Sequence, residues 1–411
     1  MLRGLSAAIG SVLVAVMASL AGPAGAQGWL ERSGNTFHMA TCPGPAARGM
    51  ARCHAHVVTD GRGAPIARML ARNITPAGYG PSALWAAYNK GAVPTGGVGI
   101  TVAIVDAYGY TNAASDLATY RSQYGLPACL ASTGCFRKVN QNGGTSGLPR
   151  QNTGWAQESA LDIEMVSAMC PNCKIILVEA NSASFADLAT AEQTAARMGA
   201  AVISNSYGGG ESGSAAYAGA YNYQSAYPFA VNPNLVITAS SGDSAYAAGP
   251  QFPASLPSVI AVGGTSLASN GTQTAWSGAG SGCSTTYPKP TWQFDSGCAM
   301  RTIADVSAVA DPNTGVAVFG PANSRTSAWL VFGGTSVAAP LIAGVYGNVV
   351  NSSQFPYGRF LYGNSSALTD VTSGSNGSCG AVGSSTYYLC NAVGGYDGPT
   401  GLGAPNGFAP F

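Results

Sequence analysis

The chain has 411 residues, of which 9% are charged and 46% hydrophobic; against about 25% charged in an ordinary soluble domain, this excludes a disordered polar chain and allows one large domain or two ordinary ones. The 18 Lys and Arg against 17 Asp and Glu exclude an overall basic pull toward nucleic acid or anionic lipid. A mean hydropathy of +0.15 calls for a search for membrane-directed segments, and one stretch qualifies.

That stretch is the first. Arg3 gives a positive start, Leu5 to Leu20 is almost wholly apolar or small, and Ala24-Gly25-Ala26 has the small-x-small pattern of a signal peptidase site. Residues 1–26 therefore read as a secretory signal peptide, and the chain is expected to be secreted, with no membrane association after removal. Residues 27–77 are punctuated by Gly and Pro, hold all three histidines (His38, His54, His56) and read as a short pro-segment or N-terminal arm. Cysteine usage agrees with export. Ten cysteines fall into five local pairs, Cys42/Cys53, Cys129/Cys135, Cys170/Cys173, Cys283/Cys298 and Cys379/Cys390. An even count in an exported chain reads as disulfides. Connectivity is not fixed by sequence, and nearest-neighbour pairing is the simplest arrangement. Cys170-Pro-Asn-Cys173 lacks a second CxxC and has its histidines far upstream, so a structural disulfide is favoured over a redox or zinc half-site.

From Gly99 onward, strand-like and helix-like stretches alternate. The pattern predicts a strand at 100–105, a helix at 113–124, a helix at 156–169 leading into a strand at 174–179, and a helix at 184–198 leading into a strand at 201–206. A further helical stretch precedes a strand at 235–240, and 258–262 is another apolar strand. Continuous apolar strands separated by helices imply a parallel sheet covered on both faces. In such sheets sites lie at the carboxyl ends of strands. Beyond Ser266 the chain is rich in Gly, Ser, Asn and Pro, with long loops.

Gly333-Gly334-Thr335-Ser336-Val-Ala-Ala-Pro340 precedes an apolar helical run. It puts Ser336 at a helix N-terminus, where N–H groups and the dipole stabilise developing negative charge; Pro340 is placed in the first turn, where its missing N–H is not needed. Alone, such a serine reads as an N-cap. The whole run resembles the nucleophile segment of the subtilisin-like peptidases. Yet all three histidines precede Asp106, which argues against a Ser-His-Asp mechanism, and the serine needs another base. Glu158 and Asp162, spaced i, i+4 on a predicted helix, lie on one face. They are either a solvated acidic face or a working pair in which one carboxylate polarises the other. Asp243, in Ala239-Ser-Ser-Gly-Asp243, follows the strand at 235–240, in a loop where subtilisins carry an oxyanion-hole Asn. A carboxylate donates a hydrogen bond only when protonated, which points to work in acid.

These features together resemble the sedolisin family of serine-carboxyl peptidases over about residues 78–411. The resemblance also rests on Pro81-Ser-Ala-Leu84-Trp-Ala-Ala-Tyr88-Asn89, Ile203-Ser204-Asn205-Ser206-Tyr207-Gly208, Phe252-Pro-Ala-Ser255 through Thr265, and Arg301-Thr-Ile-Ala-Asp305. It implies an α/β fold, a subtilisin-like parallel sheet flanked by helices, with a long-looped C-terminal part carrying one structural Ca2+. It implies Ser336 as nucleophile, Glu158 as general base and acid, Asp162 as its orienting partner, and Asp243 as oxyanion-hole acid. Asp370 and Asp397 would give calcium side-chain oxygens, and Val371, Val393 and Gly395 carbonyls, with Val393 standing where the family usually has Gly. The expected protein is a secreted, monomeric endopeptidase acting in acid on protein or peptide substrates. A tripeptidyl exopeptidase on the same scaffold and a catalytically silent secreted binding protein are the alternatives. Three points depart from the family or stay open. The segment ahead of the core, about 50 residues, is far shorter than the family's pro-domain, which speaks against autocatalytic activation. Asp106 either bonds Glu158 or merely ends a strand. Trp155 either lines the cleft or sits in the core.

Overall fold

The computed structural model describes residues 30–67, 75–221, 235–350 and 357–411. The signal peptide expected at 1–26, residues 68–74 of the expected arm, and 222–234, where a helical stretch is expected, lie outside the described residues.

The expected arm is sheet. Four strands, β1 (Leu30–Ser33), β2 (Thr36–Ala40), β3 (Arg52–Cys53) and β4 (His56–Thr59), precede the first helix, α1 (Pro81–Tyr88). The core then alternates β5 (Thr101–Ala107), α2 (Ala113–Gln123), β6 (Phe136–Asn140), α3 (Thr153–Met169), β7 (Lys174–Ala180), α4 (Phe185–Arg197), β8 (Val202–Asn205), β9 (Tyr207–Gly210) and β10 (Val236–Ser240). After β11 (Gln251–Phe252), β12 (Ile260–Leu267) and β13 (Gln273–Ala275) come β14 (Gly282–Pro288), β15 (Met300–Ile303), β16 (Val306–Val309), β17 (Val316–Pro321) and β18 (Ser327–Gly333), which runs into α5 (Thr335–Val349).

The main sheet has the order β13-β12-β10-β8-β5-β7-β6, with β16 also paired to β12. Every pairing in it is parallel except β12 with β13. Its central strands β5, β7, β8 and β10 are buried nearly end to end, as expected where helices cover both faces. The α/β subtilisin-like expectation holds. On one face α3 and α5 pack closely. A Cβ on Gly344 would meet Met169 Cβ at 2.7 Å, so glycine sets the helix separation.

Two smaller sheets frame the carboxyl ends of the main strands. The antiparallel order β1-β2-β4-β18-β17 joins the arm to the strand that delivers Ser336, and β11-β9-β3 joins it to the strand after Asn205. All five cysteine pairs form disulfides in the nearest-neighbour arrangement. Among the described residues no helix is long and apolar enough to cross a membrane.

Candidate active site

Three turns at the ends of strands, together with α3, build the site. β18 ends at Gly333, and Gly334, at φ +96, swings the chain into α5. A Cβ there would lie 1.9 Å from the His54 carbonyl oxygen and 2.6 Å from Asp243 Oδ2, so glycine is required both by conformation and by space. Ser336 is the second residue of α5, buried, with Oγ donating to the Ser206 carbonyl at 3.2 Å. Of the first-turn N–H groups, Thr335 N donates to Asp243 Oδ1 and Val337 N to the Gly334 carbonyl, which leaves the Ser336 N–H as the first-turn donor beside its own hydroxyl. Pro340 lies in the second turn rather than the first. There its missing N–H leaves the Ser336 carbonyl without its intrahelical donor.

Helix α3 starts at an Asn152 cap whose side chain accepts from Trp155 N at 3.2 Å. Glu158 and Asp162 share its face as the spacing predicts, and both are fully buried, which rules out a solvated acidic face. Glu158 Oε2 accepts from Ala55 N at 2.9 Å, and Oε1 has no hydrogen-bond partner. Burial, then the charge of Asp106, pushes the Glu158 carboxyl well above the ordinary range, with the nearby Ser336 hydroxyl acting in the opposite direction. Asp162 Oδ1 accepts from Ser206 Oγ at 2.8 Å, and Asp162 is raised by burial, then by Asp106 and Glu158.

Asp106 sits at the end of β5, where its Oδ2 accepts from Ser159 Oγ at 2.8 Å. It forms no hydrogen bond with Glu158 among the described residues and acts on both α3 acids through charge. Burial pushes it up to about 7. Trp155 is a core aromatic, buried and packed against the rings of Tyr108 and Tyr207.

Asp243 follows β10. Its Oδ1 accepts from Thr335 N at 2.8 Å and from Thr335 Oγ1 at 2.6 Å. Burial pushes the group up to about 7, against the lowering effect of these two bonds. Because Oδ1 takes both donors, the proton of the neutral acid belongs on Oδ2. That oxygen and the His54 carbonyl oxygen converge on the space beside Gly334.

What the sequence did not reveal is the course of the arm through this cleft. β3 pairs antiparallel with β9, setting Arg52 opposite Gly208 and Cys53 opposite Tyr207. His54 N then donates to the Ser206 carbonyl at 3.1 Å, the same oxygen that Ser336 Oγ contacts. Next, Ala55 N donates to Glu158, and His56 pairs with Gly333 in the β4–β18 ladder. The His54–Ala55 peptide thus lies with its carbonyl toward Asp243 and its nitrogen on Glu158. Upstream, Ala51 N is held by the Ala183 carbonyl at 2.8 Å. The histidines, remote in sequence, are therefore close in space. His54 contacts Ser240 Oγ (Nδ1, 2.7 Å) and Gln251 Oε1 (Nε2, 3.1 Å), while His56 Nε2 stands 3.4 Å from Asp243 Oδ2. Among the described residues neither ring bonds to Ser336; it is their partners, not their distance from the cleft, that set them apart from it. Long-range strand pairing, absent from any local pattern, is what brings them here.

The residues expected to bind calcium gather in one loop cluster. Asp370 Oδ2 accepts from Gly395 N at 2.8 Å, and Asp397 accepts from Val393 N and from both donors of Thr400. Burial, with the Asp370 charge adding, pushes Asp397 up to about 8. Neither carboxylate forms an ion pair among the described residues. Two acids side by side without a basic partner are a donor set that suits a hard divalent cation.

Comparison with known proteins adds the following. A family model described as the subtilase family matches residues 140–361. Kumamolisin of Bacillus sp. is 29% identical over 370 residues, covering 82% of this chain and 63% of the relative. Sedolisin of Pseudomonas sp. is 26% identical over 367 residues, covering 80% and 60%. The chain thus spans about three-fifths of the length of these curated relatives. A tripeptidyl-peptidase of Aspergillus fumigatus is 29% identical over 192 residues, 38% of this chain and 32% of the relative. The solved structure of Pseudomonas sedolisin, a serine-carboxyl proteinase complexed with pseudo-iodotyrostatin, superposes with a TM-score of 0.66 at 25% identity, covering 81% of this chain and 97% of that one.

Proposed function

The chain belongs to the subtilase family and within it resembles the sedolisins, and from that premise we propose that it is a secreted serine-carboxyl endopeptidase working in acid. The observation that carries the reading is the seating of the His54–Ala55 peptide between Glu158 and the oxyanion side of Asp243. A substrate peptide in that position meets Ser336 Oγ at its carbonyl carbon. Glu158 takes the serine proton and returns it to the leaving amine, whose place Ala55 N marks. Asp162 is a positioning residue: it holds Ser206, whose carbonyl contacts Ser336, and its charge bears on Glu158. Protonated Asp243, through Oδ2, and the N–H of Ser336 stabilise the tetrahedral oxyanion. Water then hydrolyses the acyl-enzyme.

Endopeptidase action is favoured over tripeptidyl action because the arm runs past the site at both ends. It is still bonded at Ala51, upstream of the third residue before the bond, and continues into β4 downstream.

Activity requires Glu158 ionised and Asp243 protonated, which gives a bell-shaped pH profile; burial raises Glu158 while the arm is seated on it, so the acidic limb moves down into the acid range only when the arm leaves and water reaches that carboxyl. Asp243 is held at about 7, so its donor is present below that pH and is lost tenfold per unit above it. We expect internal cuts in a denatured protein substrate and a falling rate beyond neutrality. Release of N-terminal tripeptides only would favour the exopeptidase, and no hydrolysis at any pH would favour the silent binding protein. Asp243→Asn keeps an acceptor for Thr335 and a donor for the oxyanion at every pH, so its basic limb should vanish. Asp243→Ala should cost about 10²–10³ in kcat.

The arm's seating supports a pro-segment that occupies its own enzyme's cleft, and it reverses the expectation drawn from its length. On incubation in acid the intact chain should be cut between His54 and Ala55, one water being consumed. Intact-mass analysis checks this, and a first cut elsewhere would count against the register. Calcium, held by Asp370 and Asp397 with the carbonyls of Val371, Val393 and Gly395, would supply charge balance that fixes the C-terminal loops. Five disulfides support export to an oxidising compartment.

A further inference from the structure

Three side chains of the arm are not used by the chemistry above. Glu31 and His38 are direct partners across β1 and β2. His56 is diagonal to His38 across β2 and β4, whose direct pairs are His38 with Val58 and Ala40 with His56. Side chains two apart share a face, so all three project from one face of three neighbouring strands. One ligand-capable atom from each lies within 4.8 Å of the other two. The rings of His38 and His56 are buried, with their Nδ1 atoms 2.9 Å apart.

We propose that Glu31, His38 and His56 form a binding site for a divalent transition ion, zinc first, that fastens the arm over the catalytic cleft.

Two imidazoles and a carboxylate suit zinc rather than calcium, which takes oxygen donors. Behind the site, His56 Nε2 faces Asp243 Oδ2 at 3.4 Å. A metal-ligating imidazole characteristically turns its other nitrogen to a carboxylate, which fixes the tautomer. Two nitrogens about 2.0–2.1 Å from a tetrahedral zinc stand about 3.4 Å apart, so the rings need part by only about half an ångström and give up the proton between them. A single hydrogen bond between neutral rings accounts for the 2.9 Å contact but gives Glu31 no part. Solvent reaches the cluster, since Glu31 also lines an open cavity of about 470 Å³ with Arg52, Ser244 and Gln251. Burial raises the Glu31 carboxyl above its ordinary range, and the charge of Arg52 acts against that rise while also opposing a second cation. The carboxylate offsets that repulsion only with both imidazoles in place.

The ligands also straddle the peptide at 54–55: Glu31 and His38 lie upstream of it, His56 downstream. If that bond is cut, a bound ion keeps the two pieces together. This consequence rests on the peptidase reading, whereas the binding site does not.

The test is calorimetric titration of zinc into the full chain as Ser336→Ala, which stays uncut, at neutral pH with calcium in excess. One zinc per chain should bind, and cobalt(II) in its place should show the visible absorption of a four-coordinate site. His38→Ala and His56→Ala should each weaken binding by at least about the hundredfold that even outer partners of such sites contribute. Glu31→Gln, at an exposed position that leaves the fold alone, should weaken it about tenfold. Unchanged titration in His38→Ala or Glu31→Gln, or no stoichiometric zinc in the parent, overturns the site. Loss of zinc with hydrolysis intact in the Ser336-containing chain sinks the ion site alone. Zinc bound by a chain that hydrolyses nothing sinks the peptidase reading alone.

Discussion

Replacing Ser336 by alanine is expected to lower peptide hydrolysis by about 10⁶-fold, the loss seen when a subtilisin-type nucleophile is removed. The fold should survive. The hydroxyl donates to the Ser206 carbonyl, a bond worth about 1 kcal/mol, and a buried alanine suits a helix first turn. Circular dichroism should be unchanged while the arm stays covalently whole in acid. Activity within a hundredfold of the parent would remove Ser336 from the mechanism. Glu158→Gln separates the roles further, because the amide keeps the shape but accepts no proton. Its fold should also hold, with hydrolysis lost across the pH range.

Stability should rise as pH falls, against the usual trend for proteins rich in paired carboxylates. Asp106 and Asp243 are held at about 7 by burial, while the unfolded chain titrates them near the model value of 3.8. The folded state therefore binds more protons than the unfolded one between these values. Stability is lowest above about 7, where both states are ionised and burial of charge costs most, and it climbs toward 4, where both are protonated. For one carboxyl shifted by about three units the change is on the order of 4 kcal/mol. Thermal unfolding of Ser336→Ala checks this without self-digestion: its Tm should be higher at about pH 5 than at about pH 8. A higher Tm at the alkaline end would contradict it.

Much of the geometry of the candidate site was legible because it is local. The i, i+4 spacing of Glu158 and Asp162 and the Gly-Thr-Ser turn ahead of an apolar helix are short patterns whose geometry the backbone fixes. The strands of the main sheet were legible because burial on both faces makes them continuous apolar runs. The arm was not. β1 and β3 are short, half-polar strands that exist through their partners. β9, Tyr207–Gly210, is glycine-rich and stands as a strand because β3 and β11 flank it. The pairing of Gly333 with His56 joins residues 277 positions apart, beyond any periodicity. The nearness of the histidines to the cleft was not legible for that reason, and Pro340 falls a turn later than expected because the helix begins at Thr335.

The β3–β9 and β4–β18 ladders have one more consequence. Both β9 and β18 end in a row of main-chain donors and acceptors that the arm covers, and its departure leaves each with a bare edge. Bare edges invite pairing with any extended chain, including another copy of the same molecule. On the proposed reading of the arm as a pro-segment, residues 51–57 would therefore also cover the molecule against self-association until a substrate strand replaces them.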